Sequence, residues 1–243
     1  MSVCWFEQSR TNVSAADDWL GPGERTFCLG LRFPGRRSDW RLGRWTAKQA
    51  VARYLGLSCD AATLASIRLQ AAASGAPEAF LSEAPAQLSI SLSHRDGISA
   101  CAVGPAEMNL GCDLETIEDR SDVFVQDYFT PQEQKLVSQA PAQARSAMIA
   151  LIWSAKESVL KVLRMGLRMS TQQLSVSLWA EHLASCRDDA IKASSKLLPS
   201  TVIEESWFPF SVVCEGRTFH GRWTRGARLV RTLAASTAQF LIP

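Results

Sequence analysis

The stretch W-S-A-K-E-S-V-L-K, residues Trp153–Lys161, combines a helical apolar pattern with three charged residues. It lies in a predicted helix, Gln143–Leu163, whose apolar side chains recur at helical spacing and predict a buried stripe. The stripe consists of Ile149, Ile152, Trp153, Leu160 and Leu163. Glu157 and Lys161 are four residues apart, so an ordinary helix salt bridge would explain them. The alternative is that Glu157 is a metal carboxylate and Lys161 contacts a phosphate.

An acidic strand is predicted upstream of this helix, at Asn109–Glu115. Because side chains alternate along a strand, Asp113 and Glu115 fall on one face with Cβ atoms about 7 Å apart. Two carboxylates at that distance repel each other unless a cation lies near, and Mg²⁺ takes such ligands together with waters and substrate phosphates. An exposed strand end would explain the pair equally well.

A basic stripe is predicted on a second helix, Ser38–Leu55, with Ser38 as its N-cap. At about 100° per residue, its cationic residues fall within an arc of roughly 60°. They are Arg37, Arg41, Arg44 and Lys48, and Arg36 precedes the helix. An adjacent arc would face the core and contains Trp40, Ala47, Val51 and Tyr54. The stripe suits a phosphate-rich small molecule, a nucleic acid or a solvated face.

Composition excludes several classes of protein. The chain has 243 residues, of which 47% are hydrophobic, and a formal net charge of +2, so neither general disorder nor bulk attraction to nucleic acid is indicated. The local balance is uneven. Residues 25–53 contain eight basic residues and one acidic residue, whereas residues 107–133 contain eight acidic residues and one basic residue.

The remaining patterns indicate a mixed α and β protein. Further strands are predicted at Phe27–Phe33, Gln87–Leu92, Ile98–Val103, Leu174–Trp179, Phe208–Cys214 and Arg217–Trp223, and a helix at Pro131–Ser138. Residues 71–85 and 139–147 are predicted loops, and no internal repeat is apparent. The seven cysteines are odd in number and lack C-x-x-C spacing, which favours reduced thiols over disulfides or zinc. Without a signal peptide or an apolar span, we expect a cytoplasmic protein.

Four blocks follow one another along the chain: Arg36–Lys48, S-L-S-H at Ser91–His94, G-C-D-L-E at Gly111–Glu115, and the stretch Trp153–Lys161. Together they resemble the signature blocks of the Sfp-type 4'-phosphopantetheinyl transferases. The resemblance extends from Arg36 to about Met169. It implies an α+β fold of two similar α/β halves around a pseudo-twofold axis, with the active site in the cleft between them. The halves would be residues 1–112 and 113–243 of a monomer.

The resemblance implies transfer of 4'-phosphopantetheine from coenzyme A to a serine of an apo acyl or peptidyl carrier protein, leaving 3',5'-ADP. The Mg²⁺ ligands would be Asp113, Glu115 and Glu157, and Mn²⁺ could replace the ion. Glu157 would also accept the serine proton, directly or through a metal-bound water, and Lys161 would assist catalysis. Coenzyme A would be bound by Arg36, Arg37, Arg44, Ser93, His94, Lys156 and Lys161. Lys48 is a weaker candidate.

Two features of the sequence leave room for other interpretations. Ala76 stands where many relatives have a lysine that contacts coenzyme A, and Arg68 or Arg95 would have to compensate. Val123, Phe124 and Tyr128 could dock the carrier, whereas Phe129 favours core packing. The alternative functions are a non-catalytic relative that binds coenzyme A or a carrier, and nucleic-acid binding through the basic helix. The latter leaves the acidic residues unexplained, so neither a nucleic acid nor a membrane is the expected partner.

Overall fold

The computed structural model describes residues 3–178 and 207–236, which form a mixed α+β protein. Their contacts divide them into two compact units: unit 1, residues 3–108, and unit 2, residues 109–178 and 207–236. This boundary precedes the strand Leu110–Thr116, whereas the division after residue 112 would fall within it. Among the described helices, none has the length and apolarity needed to cross a membrane.

Unit 1 consists of two small antiparallel sheets and three helices. Its strands are β1 (Cys4–Ser9), β2 (Ile67–Ala71), β3 (Pro77–Leu81), β4 (Ala84–Pro85), β5 (Leu88–Arg95) and β6 (Ile98–Pro105). Its helices are α1 (Pro22–Gly30), α2 (Pro34–Tyr54) and α3 (Ala61–Ser66). The sheets have the orders β1-β6-β5 and β2-β3-β4. Helix α2 packs against β1, β5 and β6, and Ala47 and Val51 on its inner face are fully buried.

Unit 2 consists of one five-stranded antiparallel sheet covered by helices. Its strands are β7 (Leu110–Thr116), β8 (Leu174–Leu178), β9 (Phe208–Cys214), β10 (Arg217–Arg225) and β11 (Leu229–Ala235), in the order β7-β11-β10-β9-β8. Its helices are α4 (Asp122–Tyr128), α5 (Pro131–Gln139) and α6 (Ala142–Val162). As predicted, Ile149, Ile152 and Leu160 of α6 are fully buried, while Trp153 and Leu163 pack partly buried at the core.

Helix α6 lies unusually close to β7, because Gly111 lacks a side chain. A Cβ atom at Gly111 would be 1.7 Å from the carbonyl oxygen of Ser158, a backbone atom that cannot move aside alone. This close approach brings the residues after Gly111 on β7 against the C-terminal half of α6, where the candidate site lies.

Several predictions about secondary structure were wrong. Phe27–Phe33 is not a strand, because α1 covers most of it. That helix begins at Pro22, and the backbone N–H of Gly21 donates to the Glu24 carboxylate at 3.1 Å. Helix α2 begins at Pro34 with Phe33 as its N-cap, not at Ser38, because proline at the first helical position needs no N–H partner.

Other differences concern loops and chain segments outside the described residues. Residues 71–85 contain β3 and β4, and α6 begins at Ala142 within the predicted loop 139–147. The six described cysteines form no disulfide with one another. Trp179, at the end of a predicted strand, and Cys186 lie outside the described residues.

A structural motif occurs once in each unit, which corrects the expectation of no internal repeat. In unit 1, Lys48 of α2 pairs with Glu24 at 2.5 Å. In unit 2, Lys156 of α6 pairs with Glu133 at 2.6 Å. Each lysine is fully buried on a 21-residue helix, and each glutamate is the third residue of a nine-residue helix beginning with proline.

The two buried pairs share further partners and a short sequence. Lys48 donates to the carbonyl oxygens of Trp19 and Leu64, and Lys156 donates to those of Tyr128 and Thr171. The lysines end the related tetrapeptides W-T-A-K and W-S-A-K. The repeat is only four residues long, and two of the three residues that its copies share are apolar. The sequence alone therefore does not distinguish it from ordinary helix patterning.

Candidate active site

The site in unit 2 is formed where β7 and α6 are in contact. Asp113 and Glu115 alternate along β7, and both are buried, with 5% and 8% of their surface exposed. Both carboxylates face α6, because Lys161 of that helix contacts Asp113 and Trp153 donates its indole N–H to Glu115 at 3.0 Å. The prediction that the two acids share one face is therefore confirmed, and the exposed-strand-end alternative is wrong.

Glu157 lies on α6 between Trp153 and Lys161, one helical turn from each. Its Oε1 atom is buried and has no hydrogen-bond partner among the described residues. Burial and, to a smaller extent, the negative charges of Asp113 and Glu115 together raise the pKa of Glu157 from 4.5 to about 7, although the positive charge of Lys161 opposes them. A carboxylate in this setting is stabilised either by a proton or by a cation.

Lys161 provides the positive charge nearest to these acids. Its ammonium group donates to Asp113 Oδ1 and to the carbonyl oxygen of Cys112, both at 2.8 Å. Burial lowers the pKa of Lys161, but its contacts with Asp113 and the charges of Cys112 and Glu157 together outweigh that effect, so the net shift is upward and the side chain stays charged. Lys161 thus pairs with Asp113 rather than forming the predicted helix salt bridge with Glu157. Its side chain remains 29% exposed and accessible to an anion.

The residues present fit a hard divalent cation in their chemistry. Asp113, Glu115 and Glu157 offer carboxylate oxygens, which are the ligands that Mg²⁺ prefers. The buried Oε1 atom of Glu157 has no hydrogen-bond partner among the described residues and is therefore available as a ligand. Two of these carboxylates have basic partners. Lys161 pairs with Asp113 at 2.8 Å. Arg120 pairs with Glu115 at 3.2 Å, and no three His, Cys, Asp or Glu side chains within residues 3–178 and 207–236 already form a complete ligand group. Binding an ion would require these side chains to turn towards it.

Lys156 is not available for the phosphate contact that the resemblance implies. Its side chain is 0% exposed, and its ammonium group is surrounded by Glu133 and the carbonyl oxygens of Tyr128 and Thr171. Burial lowers the pKa of Lys156 and the partner carboxylate opposes that shift. We therefore assign Lys156 a structural role. Lys48 is also fully buried and paired with Glu24, so it is not part of an exposed basic stripe on α2.

Unit 1 contains a separate cavity of about 670 Å³ that collects most of the predicted coenzyme A residues. Arg36 and Arg44 of α2 lie on one side, and Ser93 and His94 at the end of β5 lie on the other. The cavity is also lined by Gly75 and Pro77. Four predicted residues that are distant in sequence thus line one concave surface, with a basic wall and an exposed histidine.

The other predicted cations are not in this cavity. Arg37 lines a different cavity of about 330 Å³ with Arg41 and donates to the carbonyl oxygen of Leu31 at 2.8 Å. Ala76 does not line the 670 Å³ cavity, although its neighbours do. Neither Arg68 nor Arg95 lines it, so the cavity offers no support for either as a substitute for the lysine that the resemblance implies at position 76. Gln70 lies on its wall instead.

Sequence reasoning missed the residues that orient Glu115. Trp153 was assigned only to the buried stripe, but it is half-buried and its indole N–H donates to Glu115 Oε1. Arg120 contacts the other oxygen of Glu115 and lies over the ring of Phe124. The only sign of this contact in the sequence was the position of Trp153, one helical turn before the candidate metal ligand Glu157. Helical periodicity already explained that position as part of the buried stripe, so no polar contact was predicted.

The aromatic residues next to the site divide between core and surface. Phe129 is fully buried, which confirms the prediction of core packing. Val123 is 61% exposed and Tyr128 is 39% exposed, while Phe124 is half-buried and contacts Trp153 edge to face.

Residues 109–207 match the family model described as the 4'-phosphopantetheinyl transferase superfamily. The matched segment contains β7, α4, α5, α6 and β8, and therefore all three candidate metal ligands and Lys161. It covers less than half of the chain and does not include the cavity of unit 1. No curated protein matches the chain significantly.

Proposed function

We propose that this protein transfers the 4'-phosphopantetheine group from coenzyme A to a serine of an apo acyl or peptidyl carrier protein, with Mg²⁺ or Mn²⁺ as cofactor. The observation that carries the proposal is the pair of buried carboxylates Asp113 and Glu115 on β7, facing the half-buried Glu157 and Lys161 of α6, within the segment that matches the superfamily. The cavity of unit 1 supports it independently, because its wall carries Arg36, Arg44, Ser93 and His94. An Sfp-type chain and two similar halves are part of the proposal, supported by the buried Lys–Glu pair in each unit.

The nucleotide end of coenzyme A would bind in the cavity of unit 1. Its 3'-phosphate is a compact dianion, which Arg36, Arg44 and His94 can receive as hydrogen-bond donors and positive charges. Ser93 contributes a hydroxyl group at the same end of β5. These contacts lie away from the reacting bond, so their main effect is on binding and orientation rather than on the chemical step.

Asp113, Glu115 and Glu157 would hold the divalent cation, which when bound would neutralise negative charge on the pyrophosphate. Lys161, which donates to Asp113, would add a second positive charge there. In the reaction, the serine Oγ attacks the phosphorus that carries pantetheine, and the bond from that phosphorus to the oxygen of 3',5'-ADP breaks. Because phosphoryl transfer depends mainly on positioning and charge neutralisation, these residues can account for catalysis.

The serine proton needs an acceptor, and Glu157 is the candidate. Its pKa of about 7 in the ion-free protein is suited to accepting a proton near neutral pH, either directly or through a water molecule. Cation binding would lower that pKa, which favours the route through water. The proton then leaves with the base, while the oxygen of 3',5'-ADP keeps the electron pair of the broken bond.

The proposal is tested by incubating the protein with coenzyme A, Mg²⁺ and a panel of apo carriers from different pathways, and by measuring carrier mass. We expect an increase equal to phosphopantetheine on at least one carrier, and none with chelator present. Glu157→Gln should abolish the transfer with the fold retained, judged by circular dichroism. The matched control is Glu215→Gln, which removes the same charge from an exposed residue of unit 2. Full activity of Glu157→Gln would exclude both the ligand role and the base role.

The role of the unit 1 cavity is tested by a second pair of variants. His94→Ala should raise KM for coenzyme A by about tenfold, the equivalent of one charge-assisted hydrogen bond, with a smaller effect on kcat. His220→Ala is the control, because His220 is an exposed histidine on β10 of unit 2. Equal KM values for the two variants would remove His94 from coenzyme A binding.

The alternative function, a non-catalytic protein that binds coenzyme A or a carrier, predicts binding without a change of carrier mass. Tight binding of coenzyme A with no product on any carrier would favour it. For carrier docking, the exposed Val123 and Tyr128 of α4 are the candidates, because the ring of Tyr128 contacts Trp153. Val123→Asp would then raise KM for the carrier and leave KM for coenzyme A unchanged.

A further inference from the structure

A second cavity in unit 1, of about 520 Å³, adjoins the 670 Å³ cavity. Phe27, Trp40, Arg44 and Gln70 line both cavities. The second cavity is also lined by residues that the larger one lacks, among them Gly23, Glu24, Leu69 and Glu83. Its volume lies in the range of small-molecule sites, and its surface combines aromatic and aliphatic groups with a few polar ones.

Glu24 gives this cavity an unused hydrogen-bond acceptor. The side chain is only 9% exposed, and its Oε2 atom contacts Lys48 and the backbone N–H of Gly21. Its Oε1 atom is buried and has no hydrogen-bond partner among the described residues, and the Arg44 guanidinium lies 3.9 Å away, beyond hydrogen-bonding distance. A buried carboxylate oxygen without a donor carries a desolvation cost, which a bound donor would remove.

The walls of the cavity favour a flat ligand. The rings of Phe27 and Trp40 lie 5.3 Å apart, tilted by 35°, and Trp40 also stacks against the Arg44 guanidinium. Arg44 and Lys48 already place two positive charges beside Glu24. The other carboxylate of the lining, Glu83, is paired with Arg68 at 3.2 Å. A cationic ligand would therefore meet a net positive charge at Glu24, whereas a neutral N–H group would not be repelled. The chemistry therefore selects a neutral aromatic molecule with one N–H donor.

We propose that the 520 Å³ cavity is a second ligand site, which takes a small neutral aromatic molecule that donates an N–H hydrogen bond to Glu24 Oε1. A donor on this oxygen partly neutralises Glu24 and weakens its attraction for Arg44. Because Arg44 also lines the larger cavity, the occupied site would leave its guanidinium freer for a phosphate there. The effect on coenzyme A rests on the function proposed above, whereas binding in the cavity does not.

Binding is tested with indole and 1-methylindole on the full chain, by ligand-observed saturation-transfer NMR and by calorimetry. Indole should bind, and 1-methylindole, which lacks the donor, should bind at least about tenfold more weakly. Gly23→Leu should abolish indole binding, because an added Cβ at Gly23 meets no atom within 4 Å and a leucine there can fill the cavity without strain. Gly30→Leu on the same helix is the matched control, since it is equally open and lines neither cavity.

The proposal would be overturned if indole did not bind, or if indole and 1-methylindole bound equally well. It would also be overturned if Gly23→Leu bound indole as tightly as the unaltered protein does. Coupling is measured by titrating coenzyme A at increasing indole concentrations. We expect its affinity to rise by up to about fivefold and then to level off. A continuous fall in affinity would instead show direct competition and place the cavity within the nucleotide site. If coenzyme A does not bind at all, the proposed function fails but the indole experiments still decide the second site.

Discussion

A lysine ammonium group is stable inside a protein only when it is paired and fully hydrogen-bonded, and Lys156 meets both conditions. It contacts the Glu133 carboxylate and two carbonyl oxygens, and Glu133 in turn accepts hydrogen bonds from the backbone N–H groups of Thr130 and Val176. The pair therefore joins α6, α5 and β8. Removing one partner leaves a buried charge without compensation.

For this reason Lys156→Met should reduce the free energy of unfolding by about 3–5 kcal/mol. Urea unfolding measures the change. The double variant Lys156→Met, Glu133→Gln should recover part of the loss, because it removes the stranded charge as well. Lys135→Met on exposed α5 surface is the control and should change stability by less than about 0.5 kcal/mol. A small effect of Lys156→Met would mean that water reaches Glu133.

Glu157 predicts a pH dependence in the ion-free protein. Burial, followed by the charge of Asp113, raises its pKa from 4.5 to about 7 in the folded state. The folded protein then binds this proton more tightly than the unfolded chain does. The resulting stabilisation is complete below the unfolded pKa and is lost as the pH rises through about 7.

We therefore expect Glu157→Gln to gain stability relative to the unaltered protein between about pH 5 and about pH 8, measured by urea unfolding with chelator present. Comparing the two proteins at each pH removes the contribution of all other titrating groups. Saturating Mg²⁺ should reduce the difference at the higher pH, because the ion replaces the proton. A difference that does not vary with pH would contradict the raised pKa.

At the scale of elements, the contact between β7 and α6 depends on Gly111. Gly111→Ala should cost at least about 3 kcal/mol and lower activity, because the added Cβ would overlap the Ser158 carbonyl and move the carboxylates of β7 away from Glu157. Gly43→Ala is the control: it lies within α2, its Cβ meets no atom within 4 Å, and it should gain about 0.5–1 kcal/mol of helix stability. Thermal and urea unfolding check both, and equal effects would contradict the close approach.

The same contact orients Glu115 through Trp153. Trp153→Phe keeps a ring against Phe124 and Tyr128 but loses the N–H donor to Glu115. If Glu115 is a metal ligand, the affinity for Mn²⁺ should fall by about tenfold, as measured by electron paramagnetic resonance. Trp45→Phe makes the same replacement in unit 1, where Trp45 packs on Trp19, and should leave that affinity unchanged.

The sequence predicted those elements whose pattern is long or strongly alternating. Helix α6 and strand β7 were placed within a residue or two, and the shared face of Asp113 and Glu115 followed from alternation. Phe27–Phe33 was misassigned because its apolar alternation resembles a strand, whereas the Pro22 start and the Glu24 cap favour a helix. The role of Lys156 could not be predicted, because its burial depends on Glu133, which is distant along the chain.

For the whole molecule, the uneven charge corresponds to one group of candidate site residues in each unit. The basic segment contributes Arg36 and Arg44 to the cavity of unit 1, and the acidic segment contributes Asp113 and Glu115 to the site of unit 2. The charges of the two segments cancel, so the net charge of +2 for the whole chain describes neither of them. Lys48 and Glu133, which also count in those segments, are neutralised internally.

Hydrogen–deuterium exchange should therefore report the two ligands in different parts of the chain. Coenzyme A without a divalent ion should slow exchange mainly in α2 and β5, whereas Mg²⁺ alone should slow it mainly in β7 and α6. His94→Ala should reduce the first effect and Glu157→Gln the second. Protection by coenzyme A confined to unit 2 would contradict the assignment of the nucleotide to the cavity of unit 1.

The repeated lysine motif has a consequence for how relatives of this protein are recognised from sequence. In the stretch Trp153–Lys161, the buried Lys156 serves folding, while the proposed function assigns Glu157 and Lys161 to chemistry. Unit 1 already illustrates the difference, since it keeps the tetrapeptide and the buried pair but has Gln49 and Arg53 at the equivalent positions. A degenerate homologue could thus retain the tetrapeptide and its matching glutamate after losing all activity. Inspection of those two later positions, rather than of the tetrapeptide, would separate enzymes from inactive descendants.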